Sequence, residues 1–199
     1  MKLTDRSYGQ NQQDPIVFNL AFDNVLRAYD LLENPLFEGI EKLNILWELL
    51  VERVDREYNL REKNTILKNL FDSELNSPSG KIKKTKKLYD FNQDAGYIYS
   101  SFLHDYNMDL FDHQGKLHWK KFLELLSGLS EKSKFKEVVG IRGSKIPPYN
   151  KHNKEERDRI IELKKIYALE SSEQNIAQAD ASLSAISQSL KRQQARLNK

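Results

Sequence analysis

Residues 91–129 read FNQDAGYIYSSFLHDYNMDLFDHQGKLHWKKFLELLSGL. Phe91, Ala95, Ile98, Phe102 and Tyr106 recur at steps of four, three, four and four, which places them on one face of a helix. Leu117, Trp119, Phe122, Leu125, Leu126 and Leu129 make a second, broader stripe, with Gly128 near its end. Residues 107–115, between the stripes, are rich in Asp, Asn and Gly, which bond their own backbone or accept positive φ. The stretch therefore predicts helix, corner, helix, with Asp90 able to cap the first helix.

The corner also invites a chemical reading. Residues 101–122 hold three of the chain's four histidines and three aspartates. A metal-dependent enzyme would draw on His104, Asp105, Asp109, Asp112, His113 and His118. The spacing is wrong for it. A helical two-histidine site wants its ligands at i and i+4, whereas His113 and His118 are five apart across a glycine. Asp105, Asn107 and Asp109 alternate as in a calcium loop, but the bidentate acid of such a loop would fall on Lys116. The simpler reading makes the aspartates turn formers, Leu110 and Phe111 plugs of the corner, and His118 a neighbour of a core tryptophan.

Outward from the corner, the same helical spacing recurs. Phe22, Val25, Leu26, Tyr29 and Leu32 form a stripe that ends at Asn34-Pro35, because proline disfavours helix at the residue before it. Ile40, Leu43, Trp47, Leu50 and Val54 form the next, with a charged opposite face. Asn59 and Glu62 have the spacing of a capping box ahead of Ile66, Leu67, Leu70 and Phe71. Ser130 and Glu131 can open a helix through Phe135, Val138 and Val139. A charged helix follows from about Lys154 to Leu169. No run of alternating β-branched residues stands out, so the predicted class is all-α, with about six or seven helices and a polar C-terminal tail or helix.

The expected organisation is a flexible lead-in at 1–15, an N-terminal helical part at 16–71, a lysine-rich linker at 72–88, a second helical part at 89–169 and a polar tail at 170–199. Five lysines stand in residues 81–87, and Gln, Ala and Ser dominate after Ser171. Ile176, Ala179, Leu183, Ile186, Leu190 and Leu197 fall near heptad spacing there, over too few heptads to define a coiled coil.

Composition bounds the function. The 199 residues contain no cysteine, which removes disulfides, thiolate zinc sites and cysteine nucleophiles. The N-terminus shows no signal-peptide core, and no apolar run approaches the roughly eighteen residues of a membrane helix. Phosphate loops, a GxSxG elbow and HExxH are all absent, so no catalytic, cofactor-binding or metal residues are assigned and the protein reads as a non-enzyme. Residues 1–80 carry 9 Lys/Arg against 14 Asp/Glu, and residues 81–199 carry 23 against 15. The basic half admits a nucleic-acid-binding protein as the alternative function, although most of the twenty aromatics sit at core spacing.

The run from Phe91 to Arg142 resembles the bacteriophage "gp fifteen" family of tailed phages of Gram-positive bacteria. The resemblance is carried by Asp94, by Tyr97 to Phe102, by the Asp109-Leu110 corner, by Leu117-His118-Trp119 and Phe122, by Gly128-Leu129 and by Ile141-Arg142. FDNVLRAYDLLEN and KKIYAL resemble the family's first and closing segments, so about residues 16–169 are covered. The lysine-rich linker and the polar tail match no family pattern. Such genes usually precede the tape-measure gene. The resemblance therefore implies a tail assembly chaperone in the host cytoplasm, with tape-measure protein and tail tube protein as partners. Self-association stays open and no cofactor is implied. The motif residues are read as scaffold, and the partner-binding residues are unknown.

Overall fold

Pro35 sets the first boundary. In the computed structural model, Asn34 before it is extended (φ −74°, ψ 118°) and caps the end of helix α1, Phe22–Glu33. The structure describes residues 14–37, 39–75 and 87–170. Most of the expected lead-in at 1–15, most of the expected linker at 72–88 and nearly all of the expected tail at 170–199 lie outside these residues. Helix α1 buries Phe22, Asp23, Val25, Ala28 and Leu31. The predicted stripe ended on Leu32, which is instead 42% exposed, so the buried face is turned towards Ala28 and Leu31.

Helix α2, Gly39–Leu50, buries Leu46, Trp47 and Leu50, then stops four residues before the predicted Val54. There the chain straightens. Strand β1, Ile16–Phe18, pairs antiparallel with strand β2, Val51–Val54, in the register Ile16 to Val54, Val17 to Arg53 and Phe18 to Val51. The class is mostly helical as predicted, with this small sheet as the correction. Val51 and Val54 are β-branched and suit a strand once a partner is present. The pairing continues as Asn19 N–H donates to the Leu50 carbonyl at 2.8 Å.

Helix α3, Leu60–Leu70, starts with the predicted capping box: the Asn59 side chain accepts from Arg61 and Glu62 N–H, and the Glu62 carboxylate accepts from Asn59 N–H. Arg56 forks onto the same carboxylate at 2.7 Å and lies 4.0 Å above the Tyr58 ring. Helical winding runs on as a π-turn over Phe71–Leu75, and Leu75 is fully buried. Its carbonyl accepts the Tyr29 hydroxyl at 2.8 Å, tying the turn to α1.

The remaining helices are α4, Ala95–Tyr106, α5, Trp119–Ser127, α6, Lys134–Gly143, and α7, Lys154–Ile166. Asp90 caps a turn just ahead of α4 rather than α4 itself, its Oδ1 accepting from Asn92 and Gln93 N–H. The buried Asp94 carboxylate closes that turn by accepting Asp90 N–H at 3.0 Å. Helix α6 begins three residues later than Glu131, after a turn in which Ser133 N–H donates to the Ser130 carbonyl.

The chain divides into two units, Met1–Glu137 and Val138–Lys199. The first is centred on aromatic rings. Phe122 stacks between Phe22 (4.9 Å) and Phe102 (5.4 Å), both at 17°. Trp119 leans on Phe122 at 5.7 Å, and Phe91 and Tyr29 close over Trp119 at 5.6 and 5.9 Å. Trp119, Phe102 and Phe122 are each at most 2% exposed, so helices from both ends of this unit share one core. In the second unit, α7 has no buried residue. There Lys164 Nζ donates to the Arg142 carbonyl at 2.7 Å and Arg142 Nε donates to the Tyr167 carbonyl.

Candidate functional site

The corner between α4 and α5 is assembled by short-range bonds. Helix α4 ends at Asn107, whose φ of 50° puts it in the left-handed region while its N–H returns to the Phe102 carbonyl. Asparagine tolerates that conformation better than most side chains. Leu110 drops into the interior at 8% exposure, whereas Phe111, expected to plug the corner with it, is 68% exposed. Asp109 holds Phe111 N–H through Oδ1 at 2.9 Å and the Tyr99 hydroxyl through Oδ2 at 3.2 Å. Gly115, at φ 69°, completes the turn in a region that a β-carbon disfavours.

Longer-range bonds seat the corner on the rest of the first unit. Gly115 N–H donates to the Asp23 carboxylate at 2.8 Å, and Asp23 also pairs with Arg27 at 2.7 Å. Trp119 N–H donates to the Leu20 carbonyl at 2.7 Å and Phe22 N–H to the Leu117 carbonyl at 2.9 Å, a bridge between the starts of α1 and α5. Asp105 accepts Ser130 N–H at 2.7 Å and its hydroxyl at 3.0 Å, joining the end of α4 to the segment after α5. His104 and these Ser130 bonds hold the Asp105 carboxyl below its usual range.

The three histidines go to three different tasks. His104 Nδ1 meets Asp105 at 2.9 Å. His113 Nδ1 meets the Asp109 carbonyl at 2.7 Å. His118 caps α5, its Nδ1 accepting Lys120 N–H at 3.2 Å. Burial pushes the His118 imidazole below its ordinary pKa, Lys120 adds to that, and Glu74 opposes it. Lys120 itself pairs with Glu74. Among the described residues, no group of three or more His, Cys, Asp or Glu gathers as metal ligands.

The scaffold residues named from sequence fall into distinct places. Phe102, Trp119 and Phe122 meet in the aromatic core, and Leu110, Leu117 and Leu129 are buried beside Asp94. Tyr97 is half-buried and its carbonyl accepts the Ser101 hydroxyl at 2.6 Å. Gly128 ends α5 where a β-carbon would stand 3.2 Å from the Tyr106 hydroxyl, which itself donates to the Leu125 carbonyl. Arg142 lies in the second unit. Sequence reasoning missed Asp23, although an acid standing between Phe22 and Val25 on a core stripe is a signal that it has a partner.

This geometry defines a mostly helical protein in which Asp105, Asp109, His113 and His118 of the polar corner hold backbone and helix ends. The chain belongs to the Bacteriophage Gp15 protein family, whose model matches residues 11–169. No curated protein and no solved structure matches it. No helix of the described residues is long and apolar enough to cross a membrane.

Proposed function

We propose that the protein is a non-catalytic tail assembly chaperone that binds tape-measure protein in the host cytoplasm and assists assembly of the tail tube. The observation that carries this reading is the family match over residues 11–169; the tape-measure partner is what the resemblance described above implies. The fold is compatible with the task. A helical protein can lay apolar side chains against an amphipathic partner helix, and Ile40, Leu103 and Phe111 leave between 42% and 68% of their surface in water. Asp105, Asp109, His113 and His118 of the corner bond backbone groups in caps and turns, which suits a binding role better than a reaction.

Affinity capture tests the proposal. Tagged full-length chain, produced with the tape-measure protein of the same phage, should retain that protein through washing. Retention of tail tube protein would place a second partner on it. Failure to retain tape-measure protein would count against the assignment.

A further inference from the structure

Phe111 keeps 68% of its surface in water, yet its position is set by a carboxylate. Asp109 accepts the Phe111 N–H with one oxygen and the Tyr99 hydroxyl with the other. One side chain thus fixes the backbone of the first aromatic and the ring of the second, and the two rings lie 5.2 Å apart at 51°. Leu103, one helical turn beyond Tyr99 on α4, is 42% exposed and extends the same face. An exposed Phe111 set against a part-buried Tyr99 that Asp109 holds is the kind of aromatic pair that interfaces use as anchors.

Two carboxylates, those of Asp109 and Asp112, stand beside the pair. The bond to Asp109, then burial, then the charges of Asp109 and Asp112 lift the Tyr99 hydroxyl above its ordinary pKa. Asp112 is exposed, and Lys116 of the same turn places its ammonium on the Asp112 carbonyl at 3.0 Å. Aromatic faces beside carboxylates suit a cation: a guanidinium stacks on a ring while its edge pairs with an acid. An acidic segment or a nucleic-acid backbone would meet like charge here.

We propose that the Tyr99–Leu103–Phe111 face is a docking surface for a basic amphipathic helix of a partner protein, one that sets an arginine or lysine beside an apolar side chain. The assignment goes beyond the assembly role and stands on the geometry of the corner, whichever protein supplies the helix.

A labelled synthetic helical peptide with a leucine stripe flanked by arginines is the probe, and a twin with glutamates in place of the arginines is its control. Fluorescence anisotropy with the full chain should show binding of the arginine peptide, weakened by added salt, and none of the glutamate twin. Phe111→Ser should weaken binding about tenfold, as for an interface anchor. Asp112→Asn should weaken it and flatten its salt dependence. Leu36→Ser, at an equally exposed apolar site elsewhere, should leave the affinity unchanged, and the thermal melts of all three variants should match the parent. Lack of binding of the arginine peptide, equal binding of both peptides, or a Phe111→Ser affinity equal to that of Leu36→Ser would overturn the assignment.

Discussion

Asp23 shows how much one side chain of ordinary type can connect. It sits in the first turn of α1, 8% exposed, and bonds Gly115 N–H across 92 positions while pairing with Arg27. Asp23→Ala should lower the unfolding free energy by about 2 kcal/mol, the scale of a lost charge-assisted bond, read from urea denaturation. His118 adds a dependence on pH. Its Nδ1 can accept Lys120 N–H only while the ring is neutral, and burial favours the neutral form. The folded pKa is depressed, so this contribution is complete above the unfolded value near 6.5 and is lost as the pH falls through the lower folded value. The carboxyls of Asp90, Asp105 and Glu62, also depressed, withdraw their contributions only at more acid pH, below about 4. Asn caps helices and does not titrate. His118→Asn should therefore flatten the stability profile just below about pH 6.5 while leaving the more acid limb, below about 4, in place, as checked by urea midpoints at a series of pH values.

Among the elements, α1, α4 and α5 meet on the stacked rings of Phe22, Phe102 and Phe122. Phe122 is 1% exposed and stacks with both of the other rings. Phe122→Ala should cost about 3–5 kcal/mol in equilibrium unfolding, since the cavity left between two stacked rings cannot readily collapse. A loss below about 1 kcal/mol would mean that this ladder does not hold the helices together. These helices were legible from sequence because each buries one side, and a one-sided element leaves a period in its apolar residues. The β-strand pair was not. Val51–Val54 continues the helical spacing of Trp47 and Leu50, and what turns it into strand is pairing with residues 16–18 far earlier in the chain. The capping box of α3 was readable because its donors and acceptors lie within four residues. The Asp23 to Gly115 bond was not, because its partners meet only in space. Phe111 was misplaced for a related reason: apolar character says that a residue prefers burial, but not which of two apolar neighbours turns inward, and here it is Leu110.

For the whole molecule, an acidic N-terminal part and a basic remainder accompany a fold in which no three or more His, Cys, Asp or Glu gather as metal ligands among the described residues. Membership in the Bacteriophage Gp15 protein family places the chain among phage proteins, and the assembly role proposed for it is one of holding a partner. Such a role predicts that the protein changes the fate of another chain rather than of a small molecule. The most direct measurement is the soluble fraction of tape-measure protein produced in the same cells with and without this chain. The account predicts a clear rise in soluble tape-measure protein when the full chain is present. An unchanged soluble fraction, with both proteins well expressed, would contradict it.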